Sequence, residues 1–321
     1  MRVTHFERLE SFFNHCLKMD VFETLKKENL NDLGNVELEK AIERVVGPIK
    51  KDLLKRMNMY SFLVDYIGGT YGFYFEGKPV FSISEGLLPL LYQTDLGTIS
   101  AEQVKLPFDS IYMTFPYGEV KTIINDVKFI VEGVYLTNLL YNYRKELGMY
   151  FILVTNSEKD KEQIIHSKTR FSVPLIKGRE IQLLILEKFK ENNLIGKELE
   201  KVINLLINSI LYINSDKAII NKIPPKPQKR RKRPTKQSGI PHHVLGKSIV
   251  IDHSVTELVG DNKSNNNRHT KQWWVRGHWR NQAYGNKLKE RKLIWIQPYL
   301  KGEGDGEVNP KPYDVIFNPY K

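Results

Sequence analysis

The segment KQWWVRGHWRNQAYGNKLKERKLIWIQPYLKG, residues 271–302, holds all four tryptophans of the chain, Trp273, Trp274, Trp279 and Trp295, and sets His278 between Arg276 and Arg280. An indole offers a flat face for stacking on a base, and a guanidinium offers charge and donors for a phosphate. A histidine flanked by cations can also act as acid or base in metal-independent RNA cleavage. There the 2′-hydroxyl supplies the nucleophile and the guanidinium steadies the charged phosphorane. The same residue types also serve structure: indoles fill the core of a small β-domain, and a histidine beside a tryptophan makes a structural hydrogen bond.

Strand alternation sorts these residues by face. If WWVRGHWR is extended, Trp273, Val275, Gly277 and Trp279 point one way, and Trp274, Arg276, His278 and Arg280 point the other. The second set is the candidate nucleic-acid surface, with His278 the one candidate for catalysis. KLIWIQPYL forms the partner strand of a hairpin whose connection runs from Arg280 to Arg291, and it contributes Trp295 to the candidate surface. The register across that hairpin is left open by the sequence.

Charge adds a second candidate element. The formal net charge is +12, yet the first 221 residues carry −1. Residues 222–240 contribute +8 without a single acid, and residues 241–321 contribute +5. Lys229, Arg230, Arg231, Lys232 and Arg233 form the densest part of this run. Its commonest functional meaning is attraction to a polyanion, and these five residues join the candidate nucleic-acid-binding set. Pro224, Pro225, Pro227, Pro234 and Pro241 keep the run out of a helix and favour an extended, exposed leash.

Other chemistries lack their residues. Cys16 is the only cysteine, which excludes an internal disulfide and a cysteine-rich zinc site. His242 and His243 are adjacent, so a strand sends them to opposite sides, and no HExxH motif or phosphate-binding G-x-x-x-x-G-K-[ST] loop is present. GEGDGE at 302–307 lacks the ligand order of a calcium loop. No metal and no cofactor are expected. No apolar run reaches the ~18 residues of a membrane span, and the first residues show no secretory apolar segment, so a cytoplasmic location is expected.

The elements that must position these residues read as α+β. Phe6, Leu9, Phe12, Phe13 and Cys16 mark an amphipathic helix, and a second helical tract runs from Val36 to Tyr66, split at Gly47 and Pro48. Gly68 and Gly69 then punctuate the chain, and YGFYF and PVFSI read as a hairpin turned by Glu76, Gly77 and Lys78. Further strands are expected at Ile111–Phe115, Val127–Leu136 and Tyr150–Thr155. Helices follow around Ile181–Phe189 and Leu199–Ile213, the second apolar nearly all round and therefore buried. The expected organisation is an α+β body over 1–221, a basic Pro-rich linker over 222–241, and a small β-rich unit over 242–321.

Arg276, Gly277, His278 and Trp279, followed by a polar loop, Trp295, Gln297, Pro298 and Gly302, resemble the C-terminal signature of the type V-A anti-CRISPR family whose member lowers the level of its target effector nuclease. SIYMTFP, a β-rich stretch, the helix LLINSILYINSDK and a basic Pro-containing linker recur there in the same order. The resemblance implies a regulatory protein of a phage or plasmid that recognises a nascent peptide of its target and causes loss of the encoding transcript. Its partners would be RNA, as mRNA or ribosome, and that peptide. The motif positions carried over are Arg276, Gly277, His278, Trp279, Trp295 and Pro298. The N-terminal body departs from the family pattern, so the target is not carried over. A ribonuclease using His278 and a DNA-binding phage or plasmid protein are the alternatives.

Overall fold

The computed structural model describes residues 21–27, 40–47, 60–124, 127–141, 144–155, 170–191, 197–216, 218–223, 242–246 and 273–301. The expected first helix and the cations Lys229 to Arg233 lie outside these residues, as do positions 302–307.

The fold is α+β and is organised by one mixed eight-stranded sheet. Its strands are β1 (Val80–Ile83), β3 (Ser110–Thr114), β4 (Lys121–Ile124), β5 (Val127–Tyr141), β6 (Arg144–Thr155), β7 (Arg170–Pro174), β8 (Ile220–Ile223) and β9 (His242–Leu245). The order is β7-β6-β5-β3-β1-β9-β8, with β4 beside β5. Strand β1 runs parallel to β3 and to β9, and the other pairs in this sheet are antiparallel.

Alternation along the strands loads both faces. Phe81 and Ile83 of β1, Ile111 and Met113 of β3, Val134 and Leu136 of β5, and Met149 and Phe151 of β6 enter the main core. They meet Leu184 and Ile185 of the helix Ile181–Glu191, and Val202, Leu206 and Ile210 of the helix Lys197–Ile213. The latter helix is buried along Leu205–Tyr212, as its all-round apolar sequence predicts. Tyr112 and Tyr135 turn to the opposite face, stacked with ring centroids 4.4 Å apart. Phe73, from the helix Tyr60–Phe75, packs edge-on against both.

That helix corrects one reading. YGFYF is not the first strand of a hairpin but the last turns of Tyr60–Phe75. Five residues fit either period, and contact with the sheet decides between them. Gly68 and Gly69 lie inside the helix: a Cβ built on Gly69 would stand 2.7 Å from Cγ of Tyr150, and one on Gly72 would stand 3.1 Å from Cβ of Ser110. These glycines let the helix backbone settle onto the sheet. Glu76, Gly77 and Lys78 form the end of the helix. The Lys78 amide donates to the Phe73 carbonyl at 2.8 Å, Gly77 adopts φ +78° and Pro79 blocks continuation.

Residues on both sides of the expected linker share this sheet. Lys222, expected within the leash, sits in β8 and is paired with His243 of β9. No helix among the described residues is long and apolar enough to cross a membrane.

Gly69→Ala is expected to lower stability by about 1–2 kcal/mol in urea denaturation. The clash with the base of the Tyr150 ring outweighs the gain of about 1 kcal/mol in helix propensity.

Candidate nucleic-acid interface

The strands carrying the Trp-rich motif form one long antiparallel hairpin with a break. β10 (Trp273–Val275) pairs with β13 (Tyr299–Lys301), and β11 (Gly277–Tyr284) pairs with β12 (Glu290–Ile296). The same register runs through both: Val275 lies opposite Tyr299, and His278 lies opposite Ile296. Pro298 supplies no amide to the ladder, which accounts for the interruption beside Arg276. The connection is much shorter than the expected Arg280–Arg291, because both strands continue to the pair Tyr284 and Glu290. Strand β2 (Thr94–Asp95) adds to the other edge of β11, running parallel to it.

Register places Trp279 directly opposite Trp295, both pointing into the core. Trp295 is 4% exposed, and its Nε1–H donates to Thr94 Oγ1 at 3.1 Å. A side chain so enclosed has no face to offer a base, so Trp295 leaves the candidate nucleic-acid set. Trp279, 8% exposed, donates its Nε1–H to Asn208 Oδ1 at 2.8 Å. Tyr212 packs edge-on against the Trp295 ring.

Asn208, on the helix Lys197–Ile213, is the hub of this contact. Its Nδ2 donates to the carbonyls of Leu91 and Thr94 at 3.1 and 2.8 Å. Two carbonyls on one side and an indole N–H on the other fix which end of the amide is nitrogen. Thr94 completes the circuit by donating its hydroxyl to the Leu90 carbonyl at 2.8 Å. Gly277 is required by closeness: a Cβ there would lie 2.6 Å from Thr94 Oγ1 and 2.9 Å from Pro298 Cδ. Four motif positions, Gly277, Trp279, Trp295 and Pro298, thus seat the hairpin on the body. Sequence reading missed Asn208 and Thr94. The available signal was an amide within the apolar run LLINSILYI, which must find partners once buried.

The alternate residues face out. Arg276 and Arg280 are exposed and His278 is half-buried. Arg276 forms an ion pair with Asp95 at 3.2 Å, and His278 Nδ1 lies 3.4 Å from the Arg276 carbonyl. The pair is solvent-exposed and holds the guanidinium in place more than it stabilises the fold. Trp274 belongs to β10, and its side chain lies outside the described residues. Residues 276–301 carry seven Lys/Arg and the single acid Glu290.

The other histidines of this region do different work. His242 Nε2 lies 2.6 Å from Ser82 Oγ, while His243 stacks on Phe81 at 4.6 Å on the opposite face. Burial, then the neighbouring His243, lowers the pKa of His242. His243 is lowered chiefly by burial, against a backbone hydrogen bond at Val80 that raises it, with Lys222 adding to the depression. Both therefore favour the neutral form near pH 7 and serve as anchors of β9 rather than phosphate-binding cations. Among the described residues, no three or more His, Cys, Asp and Glu side chains gather as a metal site.

The family model described as AcrVA2-like, anti-CRISPR type V subtype A2 family, matches residues 81–302, from β1 to just past β13. The chain belongs to this anti-CRISPR family. The solved structure titled "Crystal structure of AcrVA2" shares the fold with TM-score 0.55 and 12% identity, over 93% of this chain and 99% of that one. No curated protein matches by sequence. In this AcrVA2-like chain the signature is thus split by strand alternation, its apolar members locking the hairpin and Arg276 and His278 facing outward.

Asn208→Leu preserves bulk but strands the Trp279 indole N–H and two carbonyls. It is expected to cost about 2–4 kcal/mol in urea denaturation followed by tryptophan fluorescence.

Proposed function

We propose that this anti-CRISPR protein is a regulator of a mobile element that binds RNA, as a transcript or within a translating complex. By doing so in the cytoplasm it lowers expression of a target effector protein. The observation that carries the reading is the outward row Arg276, His278 and Arg280, set on a hairpin whose opposite face is fixed by two hydrogen-bonded indoles. Rigid presentation matters, because cations held on a strand engage phosphates with little further ordering. The run Lys229–Arg233 adds long-range attraction to the same polyanion. The body over 1–221, of which residues 1–80 lie outside the family match, is assigned recognition of the target or its nascent peptide.

RNA rather than duplex DNA is favoured by the transcript loss that the family resemblance implies. The row stands on β11, paired with β12 on one edge and β2 on the other, and a half-buried imidazole between guanidiniums suits an exposed backbone with accessible bases. Arg276→Ala combined with Arg280→Ala is expected to leave the fold intact and to restore the target transcript in cells. In vitro the double variant should weaken RNA binding and lower the salt slope of log K by about 1.4, the loss of two single-strand phosphate contacts. Wild-type transcript loss in cells expressing the double variant would remove this face from the mechanism.

A further inference from the structure

The end of the hairpin carries a feature that the strand face does not explain. Every residue from Tyr284 to Arg291 is exposed. Leu288, at its centre, is 62% exposed, the most exposed large apolar side chain among the described residues. Its backbone lies in the left-handed region at φ +57°, directly after Lys287 at φ +55°. Glycine adopts that conformation freely, whereas leucine is disfavoured there both by its Cβ and by the water around its side chain. The chain thus presents an apolar group outward where backbone and solvent each oppose it. Positive φ at both central residues is what a type I′ hairpin turn over Asn286–Lys289 requires, so what the turn leaves unexplained is a leucine, exposed, where Gly or Asn is usual.

Charge identifies the class of contact that would cover it. Lys287, Lys289 and Arg291 lie next to or near Leu288 in the sequence, while Lys292 is already paired with Asp216. The one acid, Glu290, accepts a hydrogen bond from the Tyr284 hydroxyl, which raises the tyrosine pKa and holds the carboxylate at the last rung of the ladder. Among the described residues these three cations form no ion pair, and with the one carboxylate of Glu290 the tip remains positive beside two exposed apolar side chains, Leu288 and the Tyr284 ring, itself 43% exposed. A partner must supply negative charge at close intervals together with exposed flat apolar faces. Unpaired nucleotides do so, whereas in a duplex the base faces are stacked away.

We propose that the hairpin tip is a wedge for single-stranded RNA. Leu288 and Tyr284 pack on unpaired bases while Lys287, Lys289 and Arg291 contact the adjoining phosphates. This rests on the RNA-binding reading above but assigns it to residues at the far end of the hairpin from Arg276. The test is fluorescence anisotropy of the full-length protein with a labelled unstructured RNA and its duplex, across a range of salt, using wild type, Leu288→Gly and Lys287→Ala/Lys289→Ala. Leu288→Gly should bind the single strand about fivefold more weakly, as loss of one base contact implies. Its salt slope should be unchanged and its urea midpoint no lower than wild type, since glycine accepts φ +57°. The double lysine variant should lower the slope by about 1.4.

A structural role for Leu288 would couple stability and binding in the same direction; the wedge separates them. Leu288→Gly binding like wild type, while Arg276→Ala/Arg280→Ala loses affinity, would overturn the wedge and leave the strand face standing. Absence of RNA binding by wild type at low salt would overturn both. Wild-type flotation with phosphatidylserine vesicles, lost in Leu288→Gly while RNA binding is retained, would assign the tip to lipid and also overturn the wedge.

Discussion

The side-chain amide of Asn208 is the contact on which the arrangement of the C-terminal hairpin depends. It is buried, yet it donates to the Leu91 and Thr94 carbonyls and accepts from Trp279. Burying an amide is costly unless its hydrogen bonds are made, and here the partners are Leu91 in the short helix Leu88–Tyr92, Thr94 in β2 and Trp279 in the hairpin. The amide is satisfied only when all three are in place. Neighbouring Thr94 repeats the logic with Trp295. Together they fix both the depth and the register of the hairpin, since a slip of one residue would exchange its buried and exposed faces.

Fixing the indoles inward is what turns the cations outward. Because side chains alternate along a strand, anchoring Gly277 and Trp279 leaves no freedom for Arg276, His278 and Arg280. The residues of the Trp-rich segment thus fall into two kinds that are interleaved in sequence but opposite in space. Gly277 lies so close to Thr94 and Pro298 that a Cβ there would stand 2.6 Å from Thr94 Oγ1 and 2.9 Å from Pro298 Cδ. Arg276 meets Asp95 at the surface and stays accessible. The body and the basic hairpin form a continuous core, with Trp279 and Trp295 buried among residues of the Lys197–Ile213 helix and the sheet.

Much of this was legible in the sequence. The α+β class, strands β3, β5 and β6, both later helices and the inward–outward division of Val275–Arg280 follow from periodicity, because each is long or strongly patterned. The failures have physical causes. YGFYF reads like a strand, but Gly72 within it and Gly69 before it serve the contact of a helix with Ser110 and Tyr150 of the sheet, a tertiary fact invisible at short range. Parity along one strand says nothing of the register to the next, so the sequence does not show that Trp295 pairs with Trp279 and points inward. The roles of Asn208 and Thr94 are not legible in the sequence because they exist only once Trp279 and Trp295 arrive from some 70 and 200 residues away. The short β9 was expected apart from the body, yet pairs with β1 inside the main sheet.

The central claim is that two hydrogen-bonded, buried indoles hold the hairpin so that its cations face out. Hydrogen exchange at the indole Nε1–H groups, followed by NMR of the native protein labelled with nitrogen-15, tests it most directly. The account predicts that the Trp279 and Trp295 indoles exchange as slowly as the backbone amides of the Lys197–Ile213 helix. Exchange of either indole at the rate of free tryptophan, with that helix still protected, would contradict it.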